Sequence, residues 1–438
     1  MKKTHHKSIP GKRLVYKIVC PNCWHRFFPE ECLFVAKHTD LVGDPVLGGS
    51  EYLRFSPTRF TVQGEALDPK GFPTTDMACP RCHLQFPEAM LEVPPLFISL
   101  IGSPASGKSY FLTTMTWELR QFLPRTMLRF EDSDPIANAH IHEYERSLFS
   151  NPRPNQPTEI RKTQPDDPRL HRVVRLDGVD VRFPLPIQFT LWPTPDHPKF
   201  AAASQAARIL VLYDNAGEDF RPSVESAQYA VVQHLARSRV LFALFDPTQD
   251  PRFRAALHSD DPQLTHGLRP DGRQQDVLDR QDLVLREAAL RIRRYLGLPQ
   301  EKRLERVMIV VVPKADIWKD VAALSLDEEP YVQQGDDQPL LVRTDVVERT
   351  SANVRDVLRR YCPEFVACAE SVCEVVKYIP VSSLGRSPEL AKRGQYAYYG
   401  IRPKDIRPQW VTVPLTYCLC KHAHGLLGDA SAGVEAEQ

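Results

Sequence analysis

The stretch Leu96 to Thr116, LFISLIGSPASGKSYFLTTMT, constrains this chain more than any other. An apolar run, Leu96 to Ile101, leads into Gly102, four small residues, Gly107, Lys108 and Ser109, and then a segment with Tyr110, Leu112, Met115 and Leu119 at helical spacing. Strand, glycine-rich loop and helix in that order is the setting in which GxxxxGK[ST] holds a polyphosphate. Each residue has a chemical task there. Gly102 and Gly107 let the backbone turn its N–H groups onto the phosphates, Lys108 reaches the β and γ phosphates, and the Ser109 hydroxyl sits on Mg²⁺. Ser103, Ala105, Ser106 and Tyr110 complete the expected cradle.

Composition narrows the remaining possibilities. The chain has 438 residues, room for two or three domains, and 56 basic against 55 acidic side chains, so whole-chain charge does not indicate nucleic acid or an anionic membrane surface. No apolar run reaches the roughly 18 residues of a membrane span, and the start lacks the apolar core of a secretory signal. The expectation is a cytoplasmic protein. Cysteine usage agrees, because four of the ten cysteines fall into two CxxC pairs, the pattern of metal ligation in a reducing compartment.

Those pairs are Cys20 and Cys23 in VCPNCWHRFFP, and Cys79 and Cys82 in ACPRCHLQFP. They read as one knuckle repeated, and four thiolates in two CPxC turns suit tetrahedral Zn²⁺ in a closed structural site. His25, His83 and Cys32 are substitute ligands of lower rank. The 55 residues between the pairs exceed a ribbon's usual gap, so something is inserted. Strand-like runs at Leu33 to Ala36, Tyr52 to Phe55 and Arg59 to Val62, punctuated by Gly and Pro, make Leu33 to Asp76 a small β module. Pro94 and Pro95 then mark a boundary, giving a zinc-ribbon module over 1–94, a nucleotide domain over 95–427 and a tail over 428–438.

After the phosphate loop the pattern alternates. A helix is expected over Asp134 to Ser150 and a long proline-rich loop over Asn151 to Leu170, with strands at Ile187 to Trp192 and Ile209 to Tyr213. The second strand delivers Asp214, a position suited to a carboxylate that holds Mg²⁺, and Gly217 completes DxxG, where a glycine N–H meets a γ-phosphate. Further strands, Val240 to Phe245, Val307 to Val312 and Glu374 to Val381, end in Asp246, in Pro313, Lys314, Ala315 and Asp316, and in Ser382, Ser383, Leu384 and Gly385. Helices are expected at Ala227 to Ser238 and Gln275 to Leu296. The fold class is therefore α/β, a mostly parallel sheet with helices on both faces and ligands at the carboxyl ends of its strands.

Four motifs in this order resemble the P-loop GTPase class that includes the Ras-like and translation GTPases, over Pro95 to Leu427. GSPASGKS is similar to its phosphate loop, DNAG to its Mg²⁺ and γ-phosphate sensor, PKAD to its guanine box (NKxD or TKxD), and SSLG to the loop at the guanine edge. The resemblance implies GTP or GDP with Mg²⁺ as ligand. Asp316 then pairs with guanine N1–H and the exocyclic amine, Lys314 lies over the base, and Ser382 and Ser383 border it. It also implies slow hydrolysis, with Lys108 and Glu218 as the catalytic pair. Three departures stand out. Pro313 replaces the Asn or Thr that ties the guanine box to the phosphate loop, Glu218 stands where Ras-like enzymes carry a Gln, and either Thr158 or Thr163 can serve as first-switch threonine. A zinc ribbon ahead of such a domain is also similar to the bacterial double-GTPase families of conflict systems, which implies protein partners, a second GTPase or an effector. A non-hydrolysing nucleotide-dependent scaffold and a P-loop ATPase or nucleotide kinase are the alternatives.

Overall fold

The computed structural model describes residues 14–160, 170–214, 229–257, 261, 264, 280–394, 396–423 and 426–433. The protein is mixed α/β, built on a seven-stranded sheet. Its strands are β1 (Pro95–Gly102), β2 (Leu128–Asp132), β3 (Ile187–Pro193), β4 (Arg208–Tyr213), β5 (Val240–Leu244), β6 (Leu304–Val312) and β7 (Cys373–Pro380), in the spatial order β2-β3-β4-β1-β5-β6-β7. The chain divides into two compact units, Met1–Leu96 with Met127–Asn138 and Pro168–Leu212, and Phe97–Thr126 with Ala139–Asp167 and Tyr213–Gln438.

In the second unit β1, β5, β6 and β7 are parallel, with Ile98 opposite Val240, Val240 opposite Val307 and Val307 opposite Val375. The runs VLFAL of β5 and MIVVV of β6 are buried at every residue, as expected of strands covered on both faces. Helices connect them: α1 (Lys108–Phe122), α2 (Ala139–Phe149), α3 (Tyr229–Arg237), α4 (Gln281–Leu296), α5 (Thr344–Tyr361), α6 (Pro363–Val372) and α7 (Val413–His422). Gly297, left-handed at φ 65°, closes α4, while Val347, Ser351, Val354 and Leu358 line the buried face of α5. Among the described residues no helix is long and apolar enough to cross a membrane.

In the first unit β3 runs antiparallel to both of its neighbours, β2 and β4, with Leu128 opposite Pro193 and Ile187 opposite Leu212. The expected parallel pattern thus gives way to an antiparallel edge. β2 reads LRFED, and its alternation of covered and charged positions fits an edge strand. The same unit holds the two knuckles, Ile18–Val19 paired with Arg26–Phe27 and Met77–Ala78 paired with Gln85–Phe86. Between them the expected β module is present as short strands, Leu33–Val35 pairing with both Arg54–Phe55 and Met77–Ala78. Arg59 to Val62, read as a strand, forms only an isolated bridge, Phe60 with Ala66.

Sheet order positions the site. Within the second unit β1 lies beside β5, β5 beside β6 and β6 beside β7, all parallel. In open parallel sheets ligands bind beyond the carboxyl ends of such strands.

Candidate functional site

Gly102 ends β1 where a side chain would be crowded: a Cβ there would stand 3.0 Å from Ser106 Oγ and 3.1 Å from the Leu244 carbonyl oxygen. Ala105 (φ 59°) and Gly107 (φ 87°) both take the left-handed conformation, which curls the loop into the start of α1. Lys108 folds back over it, its ammonium donating to the carbonyls of Gly102 and Ser103 at 2.9 Å each. The Ser106 hydroxyl donates to the same Ser103 carbonyl at 2.9 Å. Ser109 and Tyr110 follow in the first turn of α1, where backbone N–H groups lack intrahelical acceptors. The loop thus brings the first-turn backbone N–H groups and the buried Lys108 ammonium together.

A second group gathers at the ends of β5, β6 and β7. Lys314 is left-handed (φ 56°), and the Ala315 N–H donates to the Val381 carbonyl at 3.0 Å, holding the two loops side by side. Asp316 is thereby brought to Ser382, whose hydroxyl donates to the Asp316 carboxylate and accepts from the Gly385 N–H. Burial pushes the Asp316 carboxyl above its ordinary range, a shift that the Ser382 hydrogen bond opposes. Ser383 continues the same turn, and Gly385 (φ 77°) is obligatory, since a Cβ would overlap the Arg407 carbonyl oxygen at 2.0 Å.

The Lys314 ammonium makes a close ion pair, 2.6 Å, with Asp246, a fully buried carboxylate just past β5. Asp246 also accepts from the Thr248 N–H at 3.0 Å and from the Thr248 hydroxyl at 2.7 Å. Gln281, the first residue of α4, clasps the Asp246 backbone from both sides: its oxygen accepts from the Asp246 N–H at 2.9 Å and its amide donates to the Asp246 carbonyl at 2.8 Å. The Ser103 hydroxyl lies 3.3 Å from that Gln281 oxygen and 3.2 Å from the Gln249 side-chain oxygen. Sequence reasoning gave Gln249 and Gln281 no role, because nothing in their local pattern marks them. Asp246 carried a visible signal, an acid at a strand end before proline.

Of the other expected site residues, Asp214 stands directly after β4, half-buried. Gly217, Glu218 and Thr163 lie outside the described residues. Thr158 is tied down by its backbone, its N–H and carbonyl both paired with Ile401 at 2.9 Å. Nearby, the Tyr110 hydroxyl accepts from the Ile160 N–H at 3.1 Å, and burial raises the Tyr110 phenol to about 12.

The cysteine cluster is a separate centre. Cys20, Cys23, Cys79 and Cys82 are all buried, with their sulfurs within 4.8 Å of one another. Cys20 and Cys82 are 3.7 Å apart, and Cys23 and Cys79 3.6 Å. A tetrahedral ion with Zn–S bonds of about 2.3 Å requires sulfur–sulfur edges of about 3.8 Å, so the four thiols fit a metal such as zinc. Each knuckle reverses through a left-handed residue, Trp24 (φ 56°) or His83 (φ 59°), and backbone N–H groups of Asn22, Cys23 and Arg81 point at sulfur from 3.4 Å. His83 is not a ligand here: its Nδ1 pairs with Asp44 at 2.8 Å.

No family model matches the chain. It is 27% identical over 181 residues to a Mycolicibacterium smegmatis protein described as a candidate ESX-1 scaffolding and assembly protein, SaeC, a match spanning 41% of this chain and 40% of that protein. Among solved structures it is similar to the signal recognition particle receptor SRb-GTP/SRX complex of Chaetomium thermophilum, at 14% identity over 66% of this chain and 94% of that one, with a TM-score of 0.24.

Proposed function

We propose that the chain binds Mg²⁺ with GTP or GDP beyond the carboxyl ends of β1, β5, β6 and β7, and works as a slow GTP-hydrolysing switch in a multi-protein assembly. One observation supports the reading: the loop after Gly102, Asp214, the Lys314–Asp316 turn and the Ser382–Ser383 turn lie at the carboxyl ends of strands of one sheet, and the Asp316 carboxylate is already paired with Ser382. Charge on the transferred phosphoryl group is offset by Lys108 and by the metal, which supplies Lewis-acid chemistry when bound. Ser109 and Asp214 hold the metal, and Gly217 reports the γ-phosphate. Glu218 positions water. Asp316 accepts from guanine, with Lys314 over the base and Ser382 and Ser383 at its edge. Adenine offers no such donor pair, and buried polar recognition of that kind discriminates strongly.

The zinc-loaded module of residues 1–94 presents a surface to partners, and the nucleotide domain of residues 95–427 gates it, in the cytoplasm. Description of the mycobacterial relative as a scaffolding and assembly protein favours a second reading, in which nucleotide occupancy sets shape and Glu218 does no chemistry. Phosphate release from GTP by the full chain, beside Lys108→Ala and Glu218→Ala variants, separates the two. Slow release lost in both variants is the result expected. No release by a wild-type protein that binds GTP would replace the switch by the non-hydrolysing scaffold.

A further inference from the structure

Pro313 has no side-chain donor, so it cannot make the tie that an Asn or Thr would provide between the guanine loop and the phosphate loop. The two loops are tied nonetheless. From Lys108 the contacts run to the Ser103 carbonyl (2.9 Å), from the Ser103 hydroxyl to the Gln281 oxygen (3.3 Å), from Gln281 to both backbone groups of Asp246 (2.9 and 2.8 Å), and from the Asp246 carboxylate to Lys314 (2.6 Å). The connecting members are withdrawn from water, Ser103 at 1%, Gln281 at 8% and Asp246 at 0% exposure.

We propose that Gln281 is the positioning residue that couples phosphate recognition to base recognition, through the Ser103–Gln281–Asp246 chain that ends on Lys314. This rests on the nucleotide reading above. A glutamine that merely satisfied the Asp246 backbone would leave the phosphate loop alone. Gln281 does not, because the oxygen that receives the Asp246 N–H also faces the Ser103 hydroxyl. Such a chain in a low-dielectric setting holds its members in one arrangement, so displacing one end disturbs the other. The Gln249 amide, 3.5 Å from the Pro104 carbonyl, braces the same loop from the β5 side.

The test compares two ligands on the full, metal-replete chain: GDP, which engages both loops, and inorganic tripolyphosphate, which engages one. With Gln281→Ala, GDP affinity falls about tenfold while tripolyphosphate affinity changes less than about twofold. Gln281→Met keeps the length of the side chain but removes its oxygen and amide, so it keeps the test decisive if Gln281→Ala fails to fold. It lowers GDP affinity by a similar factor and again spares tripolyphosphate. Unchanged GDP binding, or equal losses for both ligands, would overturn the assignment. Wild-type protein that binds neither ligand would overturn the nucleotide reading itself, a different and recognisable failure.

Discussion

The cysteine cluster and the proposed nucleotide site differ in how finished they are. At the first, four buried sulfurs already stand close to the edges of a tetrahedron, and each knuckle supplies its own reversal and its own N–H groups toward sulfur. At the second, the ligand-seeking groups hold one another: Lys108 takes loop carbonyls, Asp316 takes Ser382, and Lys314 takes Asp246. A nucleotide has to exchange those contacts for its own. On the proposed reading, free energy of metal binding at the first centre goes into folding, whereas nucleotide binding at the second goes into rearrangement, which is what a switch requires.

The largest expected effect tests the finished centre. Chelating the metal, or Cys82→Ser, should remove stabilisation of about 10 kcal/mol, the scale of small structural zinc sites. Hydrogen exchange at 20–24 and 79–83 should accelerate by orders of magnitude, whereas protection that survives chelation would mean the thiols pack without metal. Next comes the cation at the proposed nucleotide site. Lys108→Ala should lower affinity for a GTP analogue about a hundredfold by titration calorimetry and leave zinc content unchanged. A variant that loses both would show that the two centres are not separable.

Third is pH. On the proposed reading guanine recognition needs Asp316 ionised, and burial raises its pKa, so protonation on acidification begins above the ordinary aspartate value of about 4. GDP binding should weaken through that window while tripolyphosphate binding holds; parallel loss would place the titration elsewhere. The smallest effect concerns the loop before residue 161. Tyr110→Phe removes the acceptor of the Ile160 N–H, worth about 1 kcal/mol, and exchange of that amide should speed up by about fivefold. Unchanged exchange would mean that the Thr158–Ile401 pairing alone fixes the segment.

Legibility in the sequence followed locality. Strands β1 and β3 to β7 each carry a largely apolar run and were readable, as were the two CPxC turns, because a knuckle's geometry lies within a few residues. β2 was not, since LRFED alternates charge with cover at a sheet edge. The hairpin of His171–Leu176 and Val179–Pro184 was passed over although Asp177 and Gly178 spell its turn, both at positive φ. α5 was hidden by charge, its buried residues widely spaced among Arg, Asp and Glu. At the nucleotide site the strand-end motifs were visible, but the connection between them was not. Gln281 is 35 residues from Asp246 and 178 from Ser103, and only the tertiary fold makes them neighbours.

The most direct measurement is calorimetric titration of metal-replete protein with GTP and ATP analogues in Mg²⁺, with Asp316→Ala as control. The account predicts tight binding of the GTP analogue, far weaker binding of the ATP analogue, and loss of that preference in Asp316→Ala. Equal binding of both nucleotides, or a preference that survives Asp316→Ala, would contradict it.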